Sequence, residues 1–278
     1  MDRLVSTQWL AEHHDDDGLV VLDATMHLPD SERDARQEFL VAHLPGAHFL
    51  DLASFVDETS AVPKALPTAA QFAERMGTLG IRPQDRIVLY DDSAIKSAAR
   101  GWFIFDHYGM RNTAILDGGF AKWRAEGRPT QSGADETDTS SFPVPDPHRE
   151  IRSKADMLAN CRHTTAQVVD ARDAARFAGL EGSGSQGHIP GAANLPFSRL
   201  FEDDGTWKAP DALRAEFTNA GVDLGQPVIT SCNSGMTACV LLFGLSLAGK
   251  DGGALYDGSW LEWGSDPDTP KASGTRAG

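Results

Sequence analysis

Only three cysteines, Cys161, Cys232 and Cys239, occur in 278 residues. Three cannot make a paired disulfide framework, and their spacing holds no paired C-x-x-C of a zinc site. A disulfide-stapled scaffold is excluded, and a reducing, cytoplasmic compartment is expected. Basic residues are also scarce. Against 40 Asp and Glu there are 25 Lys and Arg, a formal net charge of −15. Such a balance lacks the basic face that nucleic acid or an anionic membrane needs, so neither is expected as a partner. A small anionic substrate would be repelled by the whole chain, and local arginines or backbone N–H groups must attract it. Long apolar runs are missing too. The longest covers residues 238–249, short of the roughly 20 residues that span a bilayer. Residues 1–6 show no basic segment ahead of an apolar one, so no secretory signal is expected.

What the chain does have is one unit written twice. Gly18-Leu19-Val20-Val21-Leu22-Asp23-Ala24 reads as a strand ending in an acidic residue, and Ala166-Gln167-Val168-Val169-Asp170-Ala171-Arg172 repeats it. His43-Leu44-Pro45-Gly46-Ala47 recurs as His188-Ile189-Pro190-Gly191-Ala192. The helical stretch 68–79 recurs as 210–220, and the strands 86–90 and 227–231 follow. Leu116-Asp117-Gly118-Gly119-Phe120 with Trp123 recurs as Tyr256-Asp257-Gly258-Ser259-Trp260 with Trp263. Matches in the same order at similar spacing mark a duplicated domain. Strands alternating with helices predict an α/β unit with a mainly parallel sheet. Residues 130–150, rich in Ser, Thr, Asp, Gly and Pro, read as a surface-wrapping linker. The expected division is 1–129, a linker at 130–150, and 151–278.

Motifs present in both copies read as structural. His-x-Pro-Gly-Ala is a turn with a Gly at positive φ, and Asp-Gly…Trp is a turn plus a core aromatic. His13-His14-Asp15-Asp16-Asp17 reads as a solvated loop in preference to a metal site. Arg172 reads as paired with nearby acids on a solvated face. One feature belongs to the second copy alone: Cys232, at the junction of an apolar strand and an apolar helix. The first copy has Asp91 in that slot. A tight strand-to-helix loop turns successive N–H groups inward, and the helix N-terminus adds partial positive charge. Both favour a thiolate, so a nucleophilic Cys232 with a lowered pKa is expected; the alternative is a small buried side chain.

Together these residues resemble a tandem-rhodanese sulfurtransferase over about residues 5–263. The resemblance implies two rhodanese-like α/β domains, each a mainly parallel sheet flanked by helices, with a non-catalytic first copy. Thiosulfate enzymes of the family typically carry Cys-Arg-Lys-Gly-Val-Thr in the loop, and mercaptopyruvate enzymes Cys-Gly-Ser/Thr-Gly-Val-Thr. Cys232-Asn233-Ser234-Gly235-Met236-Thr237 is uncharged and is similar to the second branch. The implied activity moves sulfur from 3-mercaptopyruvate through a persulfide on Cys232 to cyanide or a thiol, such as a small thiol or a thioredoxin-like protein. No metal or organic cofactor is implied. The alternatives are a thiosulfate enzyme and a non-catalytic carrier or interaction module. A cysteine phosphatase would need an Arg closing the loop, and after Cys232 the first Arg is Arg276.

The resemblance also implies a relay of Ser234, His43 and Asp34 to protonate the departing enolate. It places Arg176 as a substrate-carboxylate ligand and Asn233, Gly235, Met236 and Thr237 around the substrate. The family's second substrate arginine has no counterpart: residues 178–187 are Gly/Ser-rich and hold no Arg.

Overall fold

The computed structural model describes residues 1–134 and 137–274. Asp135 and Glu136 of the expected linker, and residues 275–278 of the expected second domain, lie outside the described residues. The chain divides into two compact units. Unit 1 comprises Met1–Asp57, Leu66–His148 and Glu202–Trp207; unit 2 comprises Glu58–Ala65, Arg149–Phe201 and the chain from Lys208 onward.

In unit 1 the order is β1 (Leu4–Val5), α1 (Thr7–His13), β2 (Leu19–Asp23), α2 (Ala35–Val41), β3 (His48–Phe49), α3 (Ala69–Thr78), β4 (Arg86–Tyr90), α4 (Ala98–His107), β5 (Thr113–Leu116) and α5 (Gly119–Ala125). In unit 2 it is β6 (Ile151–Arg152), α6 (Lys154–His163), β7 (Gln167–Asp170), α7 (Ala174–Ala178), β8 (Ala193–Asn194), a 3-10 turn (Phe197–Leu200), α8 (Pro210–Asn219), β9 (Val228–Ser231), α9 (Met236–Leu247), β10 (Ala254–Tyr256) and α10 (Ser259–Ser265). The sheets run β1-β5-β4-β2-β3 and β6-β10-β9-β7-β8, and every pairing is parallel. One topology occurs twice.

Local sequence explains the element ends. Thr68 and Gln71 close a capping box on α3, as Ser153 and Asp156 do on α6; Pro210 opens α8, where its missing N–H costs nothing. The central strands β4 and β9 are covered on both faces, which is why they read as unbroken apolar runs. Trp123 and Trp263 are buried in their respective cores. Their indole N–H groups donate to Pro129 O at 2.7 Å and Pro270 O at 2.8 Å. Gly46 and Gly191 close the His-x-Pro-Gly turns at φ 68° and 79°.

The stretch read as a linker packs on unit 1. Ser140 N–H donates to Gly77 O at 2.8 Å, Phe142 meets Phe72 edge-on at 5.7 Å, and His148 N–H donates to His107 O at 2.7 Å. Its polar composition hid one anchoring aromatic. No helix of the described residues is long and apolar enough to cross a membrane.

Candidate active site

In an open parallel α/β sheet, ligands collect beyond the carboxyl ends of the strands. β9 ends at Ser231, and Cys232 follows, buried. Gly235 caps α9 at φ 74°, a left-handed conformation that favours Gly. Behind it α9 is buried along nearly its whole length, so the loop is braced from below. Met236 and Thr237, counted in the loop from sequence, are the first two residues of this helix.

The loop's hydrogen bonds divide into those that hold it and those left open. Trp260 N–H donates to Cys232 O at 3.1 Å, and Leu261 N–H to Asn233 O at 2.8 Å. The N–H groups of Cys232 and Gly235 donate to Ser259 Oγ at 3.1 and 3.2 Å. Among the described residues, the N–H groups of Asn233, Ser234, Met236 and Thr237 meet no acceptor, nor do the Ser234 and Thr237 hydroxyls bond a partner. Around the cysteine, then, the loop holds uncommitted donors, a helix N-terminus and no side-chain charge. This arrangement suits an anion on sulfur.

Ser259 is a candidate site residue that sequence reading missed. It is fully buried, and its φ of 49° is strained for a side chain with a Cβ. Its hydroxyl ties both ends of the loop together and donates to Tyr256 O at 2.8 Å. The signal was present in the duplication: the matching residue of the first copy is Gly119. A Cβ at Gly119 would fall 2.3 Å from Asp91 O.

Unit 1 shows the same site closed. Asp91 Oδ1 accepts from Ser93 N–H at 3.0 Å and Oδ2 from Ala98 N–H at 2.7 Å. A carboxylate of the chain itself takes the place an outside anion would use. Burial pushes the Asp91 carboxyl above its usual range.

The other expected site residues are scattered. Arg176 lies on α7, partly buried, with Nε 2.5 Å from Asp173 Oδ2. Engaging a substrate carboxylate would require exchanging that exposed partner. His43 is buried; its Nδ1 is 2.7 Å from Phe39 O, and its ring stacks on Phe39 at 3.9 Å. His188 has the same setting, with Nδ1 2.8 Å from Phe177 O and a stack at 3.7 Å. Because a carbonyl only accepts, Nδ1 carries a proton in both rings. Asp34 and His43 bond different partners. The Asp34 carboxylate caps α2 through Gln37 N–H at 3.1 Å, and among the described residues no hydrogen bond joins the two. That cap is the N-cap role a short acidic side chain commonly takes.

Arg172 is a further correction: it is buried and not on a solvated face. Its Nη2 lies 2.6 Å from Asp170 Oδ2 and 2.9 Å from Gly187 O, its Nη1 3.0 Å from Ser185 Oγ, and its Cζ 4.6 Å from the Trp260 ring centre. The Gly/Ser-rich stretch thus supplies the acceptors for this guanidinium. His13 stacks on Trp9, and no group of His, Cys, Asp or Glu among the described residues is arranged to hold a metal. Cys239 is buried with Sγ 3.2 Å from Gly235 O, and burial pushes the Cys161 thiol up.

Two parallel α/β units of one topology, with a cysteine at the strand-to-helix loop of only one, define a duplicated domain with a candidate nucleophile in one copy. The rhodanese-like domain model matches residues 6–126 and 153–266. The chain belongs to the rhodanese family. It is 38% identical over 270 residues to 3-mercaptopyruvate sulfurtransferase of Mus musculus, covering 94% of this chain and 91% of the relative. It is 37% identical over 271 residues to thiosulfate sulfurtransferase of Bos taurus, with the same coverage. The crystal structure of the 3-mercaptopyruvate enzyme SseA from Escherichia coli superposes with a TM-score of 0.86 at 37% identity, covering 94% of this chain and 99% of that one.

Proposed function

We propose that this rhodanese-family sulfurtransferase takes sulfur from 3-mercaptopyruvate, holds it as a persulfide on Cys232, and passes it to cyanide or a thiol. Overall identity does not choose the donor, since relatives named for 3-mercaptopyruvate and for thiosulfate stand at 38% and 37%. The loop carries the choice. Asn233, Ser234, Gly235, Met236 and Thr237 bring no cation. A dianionic donor such as thiosulfate would be met by neutral donors alone, inside a chain of net charge −15.

The Cys232 thiolate attacks the thiol sulfur of the donor. The new S–S bond forms as the C–S bond breaks, and its electron pair leaves on carbon as the enolate of pyruvate. One proton converts the enolate to pyruvate. The persulfide anion is held by the open N–H groups of Asn233, Ser234, Met236 and Thr237. An acceptor nucleophile then attacks the outer sulfur and restores the thiolate, a two-stage scheme with one covalent intermediate. No step calls for a metal or organic cofactor. The uncommitted Ser234 hydroxyl is the assigned proton donor, with His43 and Asp34 proposed behind it as the relay that returns a proton to Ser234. Arg176 is proposed as the carboxylate ligand once released from Asp173. Three free cysteines support a reducing, cytoplasmic setting with a small thiol or a thioredoxin-like acceptor.

Steady-state transfer to cyanide at equal donor concentrations tests this reading. A higher kcat/KM for 3-mercaptopyruvate than for thiosulfate is expected. Preference for thiosulfate would overturn the donor assignment, and turnover with neither would leave a carrier module.

A further inference from the structure

The duplication shows a place in unit 1 where a guanidinium is missing. In unit 2, Arg172 fills the space between Asp170 and the Trp260 ring. Position by position, Asp23-Ala24-Thr25 matches Asp170-Ala171-Arg172. Phe39 and His43 match Phe177 and His188, and Phe120 matches Trp260. The frames agree: Asp23 and Asp170 end β2 and β7, and Phe120 N–H donates to Asp91 O as Trp260 N–H does to Cys232 O. Thr25 is too short to fill the space Arg172 takes. Tyr90, at the position of Ser231, occupies part of it, with its hydroxyl accepting from Leu44 N–H at 3.3 Å. What remains is a cavity of about 350 Å³, lined by Asp23, Thr25, Gln37, Phe39, Phe120 and Arg124 among others. That volume is at the small end of ligand sites.

The groups around the cavity are not balanced. Asp23 is buried and is held by neutral donors only: Thr25 N–H at 2.9 Å and the hydroxyls of Thr25 and Tyr90. Burial pushes its carboxyl up to about 6, and neighbouring Asp91 adds to the shift. The other acids of the lining are already matched. Arg33 bonds Glu38 at 2.7 Å and Asp92 at 3.1 Å, and His27 bonds Glu38 at 2.9 Å. Arg124 lies with Cζ 5.3 Å from the Phe120 ring centre and, among the described residues, has no ion pair. A buried carboxylate without a cation and a guanidinium without an anion thus share one small cavity with an aromatic face.

We propose that this cavity binds a small guanidino acid of about the size of free arginine, its guanidinium on Asp23 against Phe120 and its carboxylate on Arg124. The chemistry repeats what unit 2 does internally: a planar fork on a carboxylate, stacked on an aromatic ring. Asp23 and Arg124 have no assigned part in the sulfur chemistry.

Calorimetric titration of the full chain with L-arginine tests it, with L-citrulline as the neutral isostere. Saturable one-to-one binding of arginine at pH 8 is expected, with citrulline at least about tenfold weaker. Asp23→Asn should weaken arginine by at least about tenfold, and so should pH 5, where the Asp23 carboxyl is protonated. Thr25→Arg leaves Asp23 in place but fills the cavity with the chain's own guanidinium, and it should abolish binding while thermal unfolding stays cooperative. Sulfur transfer by Asp23→Asn should match the parent. No saturable arginine binding at pH 8, equal binding of citrulline, or undiminished binding in either variant would overturn the proposal.

Discussion

Where β4 ends in unit 1 stands Asp91, and where β9 ends in unit 2 stands Cys232. The scaffold around them is the same: parallel neighbours, a turn from the Asp-Gly segment, and an N–H from Phe120 or Trp260 on the loop's first carbonyl. The difference lies in who satisfies the loop. In unit 1 the Asp91 carboxylate accepts from Ser93 and Ala98, so the donors are consumed internally. In unit 2 the Ser259 hydroxyl takes only the N–H groups of Cys232 and Gly235, and the rest stay open. A fold that can host an anion at a helix N-terminus becomes reactive only when its own side chains leave that place free and a nucleophile stands beside it. The same two-copy logic runs in reverse one strand over. There unit 2 fills its own space with Arg172, and unit 1 leaves a cavity.

Each contrast can be broken. Cys232→Ser should abolish sulfur transfer in the cyanide assay while thermal unfolding stays close to the parent, because the change is isosteric. Retained turnover would move the chemistry elsewhere. Ser259→Ala removes an acceptor shared by two buried N–H groups, each costing about 1–3 kcal/mol when orphaned. Slackened geometry should lower kcat by about 10- to 100-fold with a smaller change in KM. An unchanged kcat would reduce Ser259 to packing.

Arg176→Ala should raise KM for a carboxylate donor by about tenfold and leave kcat nearly alone, as loss of uniform binding does. An unchanged KM would remove Arg176 from the site. A smaller effect is expected at Asp23. Its folded pKa of about 6 lies above the ordinary 3.8, so the folded state binds this proton more tightly. Stability from this group is greatest below about pH 4 and is lost as pH rises through about 6, a change of up to ~3 kcal/mol. Denaturant titrations across that range should show a flatter slope for Asp23→Asn. The smallest effect is a null one: Asp91→Cys should gain no persulfide, because α4 starts only at Ala98 and Gly119 offers no hydroxyl.

Much of this was legible because the chain carries its own control. Periodicity and the repeated turns gave the strands, the helices and the duplication, and the missing cysteine of the first copy singled out Cys232. What stayed hidden depended on partners distant in sequence. Arg172 looks like a surface residue until Ser185 and Gly187 curl over it. The cap that Asp34 places on α2 was likewise not read from the sequence. Ser259 sits in a motif shared by both copies, so reading it as structural concealed the change from Gly119 to Ser259.

The most direct test of the central claim is peptide mass spectrometry after a brief exposure to 3-mercaptopyruvate, with fragmentation that separates Cys232 from Cys239. The account predicts one added sulfur on Cys232, removed by cyanide and absent from Cys161 and Cys239. Sulfur on either of those two, or turnover with no sulfur on Cys232, would contradict it.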